Sequence, residues 1–480
     1  MRKSNWIDLL REGRAVYTVI LVLGIGLHAI DVFIIATVMP AVVADIGGDA
    51  FYAWSTMLYM IASIIGAASG GPLKAALGAR KGYSLAGLLF LAGTVGCAIS
   101  PTMPILLIAR VVQGFGGGLL IAQSMALVRE LYPQELRTRV LALISGIWGV
   151  AALIGPLFGG GFAELGWWRG AFWAGAPIIL MFVGLAWWSL PASAPAASIP
   201  RFPIRRLVLL GAGVLCVGVT STIEQPALQI GLLIAAVAMV GKTFRLDAGS
   251  ANPLFPSNPL SVRSPVGTGY WIFFLLSITH TAIGIFLPLV LQVLHGATPL
   301  VAGYFNGVLA LSWTAAAFLT SGWRGRGEAA ALVGGPCLAV CGLVGLAIGV
   351  TDASLTVIAL LVAMLGLGIG MCNLHLTAST MALAAPGEES LTASSIPTMR
   401  ALGIAFGSAI AGLVANSAGL ARGISPETVA SAITWVNATT ALAPAAAVLL
   451  ALRLVRLSRH RAAAPLPAVE PRPSGDGSSL

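Results

Sequence analysis

Asp31 is the side chain in this sequence best placed to do chemistry, because it is a carboxylate inside an apolar run. Of the 17 acidic residues, it alone lies near the middle of a segment (16–43) long enough to cross a membrane. An ionisable side chain at the bilayer centre costs at least about 2.5 kcal/mol to insert, so it marks a functional site by default. A carboxyl group held away from bulk water can bind and release a proton as its surroundings change. We interpret Asp31 as a proton or cation site; the alternative is a structural partner of a buried arginine.

Two other ionisable residues in apolar segments are candidates for the same site. Arg110 would be as costly as Asp31 if it were alone, so a shared polar network of the two is expected. His28 precedes Asp31 by three positions and lies on the same helical face. Its imidazole titrates near physiological pH, which suits a proton relay, although it is equally suited to a hydrogen-bonded place in the core.

The segments that must position these residues are membrane-spanning helices. The chain has 480 residues, of which 58% are hydrophobic and 9% are charged, and apolar runs of 18 or more residues recur along its length. Fourteen spans are predicted, at 16–42, 53–73, 82–100, 103–128, 138–164, 169–190, 205–223, 226–244, 267–293, 300–322, 328–349, 354–380, 390–417 and 428–452. The fold class predicted is therefore an all-α integral membrane protein.

The positive charge follows membrane topology. The net charge is +10, but only Arg169 and Arg422 fall in predicted outside loops, and Arg110 and Arg400 fall within spans. The remaining 23 of the 27 Lys and Arg residues lie in predicted inside segments. This bias predicts a multi-pass protein of a bacterial-type inner membrane with both termini in the cytoplasm, and it argues against nucleic acid as a partner.

The chain divides into two sets of six spans with two spans between them. We predict an N-terminal six-helix bundle (1–190), a cytoplasmic linker with two extra transmembrane helices (191–266), a C-terminal six-helix bundle (267–460) and a disordered tail (461–480). The five cysteines show no metal-ligand or disulfide spacing. There is no phosphate-binding loop or catalytic constellation, so we expect no enzyme activity, no cofactor and no metal.

Glycines repeat at matching places in the two outer sets. Gly114 to Gly118 in the fourth span matches Gly366 to Gly370 in the twelfth, and Gly155 and Gly160 match Gly407 and Gly412. Repeated halves are typical of secondary transporters, whose substrate site lies near the midplane between the repeats.

These motifs resemble the major facilitator superfamily, and more narrowly its fourteen-helix drug:proton antiporters, over residues 16 to about 455. Asp31 followed by Pro40 resembles the helix 1 motif, and the segment from Arg110 through Gln113 to Gly118 is close to the helix 4 motif. The positions that resemble the antiporter motif of helix 5 are Gly149, Gly155, Pro156, Gly159 and Gly160. The resemblance implies the major facilitator fold, with Arg110 tuning the proton affinity of Asp31 or acting as a static hydrogen-bond anchor.

One motif departs from the family pattern. The loop between helices 2 and 3 keeps Gly71, Gly78, Arg80 and Lys81, but alanine replaces its usual Asp and the Arg after it. In the family that Asp helps to hold the two halves together on the cytoplasmic side. Arg80 and Lys81 are expected to pair with Glu130 or Glu135 instead.

The remaining site candidates are polar or aromatic residues within spans. Arg400, which begins a glycine-rich run, is grouped with the conformational motifs and either faces the cytoplasmic cavity or pairs with a carbonyl group. The residues assigned to a substrate cavity are Gln113, Trp148, Trp271, His280, Asn306, Trp313, Asn373 and His375. For the histidines and asparagines of this set, helix–helix hydrogen bonding is the alternative role.

The resulting hypothesis is a proton-coupled exporter of amphipathic or cationic drugs and other lipophilic compounds, working by alternating access as a monomer with Asp31 as proton site. Its partners would be the substrate, protons and membrane lipids. The first alternative is a carrier of lipids or lipid-like molecules with the same fold. The second is a transporter-like sensor or scaffold that transports nothing.

Overall fold

The protein is a bundle of long helices that pack side by side. The structure, a computed structural model, describes residues 6–9, 11, 13–192, 202–223, 225–250 and 253–463. The predicted tail from residue 464 onward and the linker at 193–201 lie outside the described residues. Three 3₁₀ turns (Trp6–Leu9, Asp49–Phe51 and Leu420–Arg422) accompany the α-helices.

The helices fall into three groups along the chain. The first group is α1 (Arg14–Ile46), α2 (Trp54–Ile99), α3 (Met103–Leu131), α4 (Gln134–Glu164) and α5 (Arg169–Ser189). The second group is α6 (Ile204–Thr220) and α7 (Pro226–Ala248). The third group is α8 (Pro265–His295), α9 (Pro299–Thr320), α10 (Arg326–Gly349), α11 (Leu355–Ala382), α12 (Glu389–Ser417), α13 (Pro426–Thr440) and α14 (Leu442–Ala463).

Within the described residues, twelve helical segments are long and apolar enough to cross a membrane, so the predicted count of fourteen is not confirmed. One difference is that the spans predicted at 53–73 and 82–100 form a single helical segment, Asp49–Ile99. The other is that the span predicted at 205–223 is α6, which has only 17 residues and is not among these twelve segments.

The predicted loop between the second and third spans is helical except at Gly78. This residue has φ 78° and ψ 170° inside α2. A positive φ of this size is accessible to glycine at little cost, so the chain changes direction at one residue and does not need a loop. The two predicted spans are therefore two helices that meet at Gly78, and their connection is shorter than the predicted loop because one glycine with a positive φ is enough to redirect the chain.

The glycine repeat corresponds to a repeat in packing. A Cβ built on Gly114 of α3 would lie 2.3 Å from the Tyr59 carbonyl oxygen of α2, and one built on Gly366 of α11 would lie 2.4 Å from the Leu309 carbonyl oxygen of α9. Only glycine allows backbones to approach this closely. The glycine motif of α3 therefore packs against α2, and the matching motif of α11 packs against α9. Both α2 and α9 are the second helix of their group.

The two outer groups also meet each other in a repeated manner. Gly160 of α4 lies against Leu300 of α9, and Gly412 of α12 lies against Ala53 at the start of α2. These contacts lie at the end of the bundle where α1 ends and α2 begins, here named the Tyr52 end. The opposite end, where α3 ends and α4 begins, is named the Glu130 end.

Side chains close the Tyr52 end between the outer groups. The rings of Tyr52 and Phe286 stack with centroids 5.5 Å apart. The Asn416 side-chain amide donates to the Ala50 carbonyl oxygen at 2.8 Å, and the Leu300 N–H donates to Glu164 at 3.2 Å. The first and third groups are thus joined at this end by ring stacking and by hydrogen bonds.

Candidate functional site

Asp31 and Arg110 form a buried ion pair between α1 and α3. Arg110 Nη1 donates to Asp31 Oδ2 at 2.6 Å. The exposed fraction is 5% for Asp31 and 1% for Arg110, so the pair is removed from solvent. Since Arg110 lies one turn before Gly114, the close approach of Gly114 to α2 fixes the level of Arg110 in the bundle. The contact expected between the two residues is present.

Gln113 completes the environment of this pair. Its side-chain nitrogen donates to Asp31 Oδ1 at 2.8 Å and to Thr94 Oγ1 at 2.9 Å, while its oxygen accepts from Arg110 Nη1 at 2.5 Å. Arg110 Nε donates to the Ser55 carbonyl oxygen at 3.4 Å. Both carboxylate oxygens of Asp31 are therefore hydrogen-bonded, and the two charges of the ion pair cancel. A buried pair of opposite charges tolerates low dielectric surroundings only when such additional hydrogen bonds are present.

Tyr59 connects this network to His28. The Arg110 guanidinium carbon lies 4.1 Å from the centre of the Tyr59 ring, a cation–π distance. The Tyr59 hydroxyl is 2.7 Å from His28 Nδ1, and which group donates depends on the imidazole tautomer. His28 also has its ring edge-on to Trp148, with centroids 6.1 Å apart. Asp31 and His28 are thus connected through Arg110 and Tyr59 along a path whose hydrogen bonds are interrupted at the cation–π contact.

The sequence did not indicate Tyr59, Thr94 or Ser55 as parts of this site. Tyr59 and Ser55 lie on α2 and Thr94 lies in the last turns of the same helix, far along the chain from Asp31. The one available signal was that a tyrosine in a predicted span needs a partner for its hydroxyl group.

A second polar cluster lies within the third group of helices and is centred on Arg400. Its Nη2 donates to Asn373 Oδ1 at 2.5 Å and to Thr377 Oγ1 at 3.3 Å, and its guanidinium carbon lies 4.9 Å from the centre of the Phe273 ring. Arg400 Nε is buried and has no hydrogen-bond partner. The main partner of Arg400 is therefore the side-chain carbonyl oxygen of Asn373, so the expected pairing with a carbonyl group is present.

Two more of the predicted cavity residues lie beside each other on neighbouring helices. His280 on α8 and Trp313 on α9 pack edge-on with ring centroids 5.5 Å apart, and both are partly exposed. His280 also hydrogen-bonds through Nδ1 to the Leu276 carbonyl oxygen at 3.1 Å. His280 follows His28 by the same number of positions as Gly366 follows Gly114, so the repeat places one histidine on the first helix of each outer group.

The other three predicted cavity residues join helices or segments. Asn306 Nδ2 donates to the Gly284 carbonyl oxygen at 2.9 Å, and His375 Nε2 lies 3.0 Å from the Thr320 carbonyl oxygen. The Trp271 indole N–H donates at 2.9 Å to the carbonyl oxygen of Leu260, in the segment before α8. These contacts are those of the helix-packing role, and the structure brings none of the three residues into contact with Asp31.

Three glycines and the proline of the predicted α4 motif form a contact surface, whereas its Gly149 has open space beside it. Gly155 and Gly159 lie against Phe33 and Ile34 of α1, and Pro156 lies against Gly303 of α9. Together with Gly160, they allow α4 to pack on both outer groups. Gly71 of α2, in contrast, has open space beside it.

The predicted ion pair of a basic residue after Gly78 with Glu130 is not formed. Lys74 pairs with Glu130, whereas Arg80 Nε donates to the Leu190 carbonyl oxygen at 2.8 Å and Lys81 is exposed. The prediction that Arg80 or Lys81 pairs with Glu130 was wrong, because Gly78 redirects the chain and leaves Lys74, one turn earlier, facing α3.

A buried ion pair was missed by the sequence reasoning. Arg206 of α6 pairs with Asp247 of α7, and the Asp247 carboxylate also accepts from the backbone N–H groups of Leu254 and Phe255 at 2.8 Å and 2.9 Å. Asp247 lies at the polar end of an apolar segment in the sequence, yet only 2% of it is exposed. In the described residues, no group of three or more His, Cys, Asp or Glu side chains could hold a metal ion.

The fold and the site together define a membrane transporter with two repeated outer groups of helices and a charged network within the first. The chain belongs to the Major Facilitator Superfamily, which it matches over residues 21–408. It is a transporter of this superfamily rather than an enzyme. The narrower resemblance to the fourteen-helix antiporters is not confirmed.

Relatives agree with this assignment, and solved structures agree with the fold. The chain is 33% identical over 440 residues to a probable multidrug-efflux transporter of Mycobacterium tuberculosis, covering 86% of this chain and 90% of that protein. It is 36% identical to multidrug resistance protein 3 of Bacillus subtilis over 33% of this chain and 31% of that protein. A bacterial homologue of the human lysosomal transporter Spinster, in an inward-facing and unoccupied conformation, superposes with TM-score 0.68 at 16% identity and covers 93% of this chain and 98% of that chain. A D-xylose–proton symporter does so with TM-score 0.64 at 17% identity, covering 92% and 97%.

Proposed function

We propose that this protein is a proton-coupled secondary active exporter of amphipathic or cationic drugs and other lipophilic compounds, with Asp31 as the proton site. The observation that carries the proposal is the buried network of Asp31, Arg110 and Gln113 within membrane helices. The names of the M. tuberculosis and B. subtilis relatives support drug efflux as the direction of transport.

The network suggests how a proton would act. A proton on Asp31 competes with Arg110 for the same carboxylate, because a neutral carboxyl group no longer balances the guanidinium charge. Arg110 then keeps its contacts with Gln113, Ser55 and the Tyr59 ring. Since Ser55 and Tyr59 belong to α2, protonation shifts the charge of Arg110 from α1 toward α2. His28, hydrogen-bonded to Tyr59, is proposed as a relay on the same path.

Alternating access requires the outer groups to have two packed arrangements. The contacts of Gly160 with Leu300 and of Gly412 with Ala53 hold the Tyr52 end together in this structure. We propose that these contacts open and close during transport, while the glycine contacts inside each group, such as Gly114 with Tyr59, persist.

The proposed topology has fourteen crossings. A helix of 46 residues, the length of α2, would extend roughly 69 Å, more than twice the roughly 30 Å of a hydrocarbon core. Two crossings that meet near Gly78 account for this length, and α6 with its 17 residues is long enough for one more. With both termini in the cytoplasm of a bacterial-type inner membrane, the proposed domains are 1–190, 191–266, 267–460 and the tail 461–480, in a monomer.

A carrier of lipid-like molecules is the second candidate, and one groove favours it. Between α2 and α5, an apolar groove is lined by Leu85, Leu88, Val183 and Trp188, and Lys81 is also among its lining residues. An acyl chain and an acidic headgroup are the complementary ligand for such a groove. The Asp31 network has no part in this alternative, which makes the two candidates separable.

The proposal is tested in proteoliposomes with an imposed pH gradient, using the cationic dye ethidium. Wild type should accumulate the dye only with the gradient, and Asp31→Asn should lose this dependence. Glu427→Gln is the matched control, since Glu427 lies in the first turn of α13 and outside the network. Gradient-driven transport that survives in Asp31→Asn would place the proton site elsewhere. Movement of fluorescent phospholipid without dye transport would favour the lipid carrier.

A further inference from the structure

Arg400 is a cation inside the third group of helices that has no carboxylate partner in the described part of the chain. The buried arginines Arg110 and Arg206 each pair with an aspartate. Arg400 lies roughly three turns into α12, whereas the five carboxylates of residues 265–463 lie close to helix ends. These are Glu328, Asp352, Glu388, Glu389 and Glu427.

The partners that Arg400 does have orient its guanidinium group without neutralising it. Asn373 and Thr377 accept from the same nitrogen, Nη2, and the Phe273 ring lies beside the guanidinium carbon. Nε is buried with no partner. A cation left uncompensated at membrane depth is costly, and it is retained where it contributes to a substrate or ion path.

The place of Arg400 in the bundle suits contact with cargo. The side chain is partly exposed, as are those of Asn373 and Thr377. Arg400 follows Trp148 by the same number of residues as His280 follows His28, so Arg400 and Trp148 occupy equivalent positions of the repeat. Trp148 lies on α4 and is 40% exposed. At this repeated position, the first group of helices therefore has an exposed aromatic ring and the third group has a cation.

We propose that Arg400 binds the anionic group of the cargo, a carboxylate in particular, with Asn373 and Thr377 as positioning residues. The planar guanidinium group matches a carboxylate in shape and charge. Asp31 is a poorer site for a cationic group of the cargo, because both of its carboxylate oxygens already accept hydrogen bonds from Arg110 and Gln113. The inference rests on the proposed export of amphipathic compounds and adds aromatic carboxylates and zwitterions to the cationic compounds named there.

The test is equilibrium binding to the full-length protein in detergent, which needs no transport. The probes are pyrenebutyrate, its neutral amide and a pyrenebutyl-trimethylammonium cation, each followed by pyrene fluorescence. The variants are Arg400→Gln, Arg400→Lys and the control Arg422→Gln, which removes an exposed arginine. One lost charge-assisted hydrogen bond corresponds to roughly a tenfold to hundredfold change in affinity.

We expect Arg400→Gln to weaken pyrenebutyrate binding at least about tenfold while the amide and the cation change by less than about threefold. Arg400→Lys should recover part of the loss, and Arg422→Gln should resemble wild type. Retained binding of the amide shows that the variant is folded. Equal weakening of all three probes, or unchanged pyrenebutyrate binding, would overturn the proposal. Because binding is measured without a gradient, a failure of proton coupling in the Asp31→Asn experiment would be seen separately.

Discussion

The hydroxyl group of Tyr59 lies 2.7 Å from Nδ1 of His28, while the face of its ring lies 4.1 Å from the guanidinium carbon of Arg110. One side chain of α2 thus contacts two ionisable groups on two other helices in two different ways. The hydroxyl contact and the ring contact can be removed separately, which allows the relay and the cation–π interaction to be tested one at a time.

Replacing Tyr59 with Phe removes the hydrogen bond to His28 and keeps the ring under Arg110. We expect gradient-driven dye transport to fall about three- to tenfold, since one buried hydrogen bond contributes roughly 0.5–1.5 kcal/mol. Tyr59→Leu, which also removes the cation–π contact, should lower it further. Initial rates of ethidium uptake in proteoliposomes measure both effects, with Tyr304→Phe on α9 as control. Full activity of Tyr59→Phe would remove His28 from the proton path.

Two neighbouring glycines of α4 test the closure of the Tyr52 end. A Cβ on Gly160 would lie 2.4 Å from the Leu300 Cα, whereas nothing lies within 4 Å of one on Gly161. Gly160→Leu should therefore disrupt the packing of α4 on α9, with an overpacking cost of about 1–3 kcal/mol. Gly161→Leu should leave this packing unchanged. We expect transport to drop at least about tenfold in the first variant only. The rate of thiol labelling of a cysteine placed at Thr37, beside Gly303, should rise in Gly160→Leu only. Equal transport and equal labelling in the two leucine variants would argue against closure at this contact.

The ion pair of α6 and α7 is expected to hold the central pair of helices to the segment that follows them. Asp247→Ala removes the carboxylate that Arg206 and two backbone N–H groups share, so it should destabilise the protein by about 3–5 kcal/mol. Arg205→Met is the matched control, because Arg205 is the exposed neighbour of Arg206, and it should change stability by less than about 0.5 kcal/mol. Thermal unfolding in detergent and proteolysis after residue 250 measure the two effects. If Asp247→Ala matches the control, the pair is not a stabilising contact.

Tyr132, which lies between α3 and α4, gives the protein an alkaline limit. Burial raises the pKa of its phenol above the ordinary value of 10.0, and its oxygen lies 2.8 Å from Thr18 Oγ1. A raised native pKa means that the contribution to stability is complete below pH 10.0 and is lost as the pH rises through the native pKa. The difference in melting temperature between wild type and Tyr132→Phe should thus be constant from about pH 7 to 9 and shrink above about pH 10. Thr18→Val keeps the phenol, so its melting temperature should still show the decrease above about pH 10 that the phenol causes. If Thr18→Val no longer shows this decrease, the pH dependence comes from the hydrogen bond.

The amino-acid sequence alone identified the features that depend on neighbouring residues along the chain. A carboxylate within an apolar run is visible from the sequence, because the length and polarity of a span are local properties; Asp31 was found in this way. Glycine spacing likewise indicated the repeat, and motif resemblance indicated the superfamily, which the match over residues 21–408 confirms. The proton-site and cavity roles remain predictions.

Only the tertiary structure decided which polar groups meet. Lys74 pairs with Glu130, where Arg80 or Lys81 had been expected, and Asp247 is buried against Arg206, a pair that the sequence did not indicate. It also showed that Arg400 has amide and hydroxyl partners and no carboxylate among the described residues. These outcomes depend on the rotation of each helix about its axis and on the turn at Gly78, which a hydrophobic pattern leaves open because every face of a buried membrane helix is apolar. The amino-acid sequence determines which side chains lie in the membrane-spanning helices, and the packing of these helices determines which of the side chains come into contact.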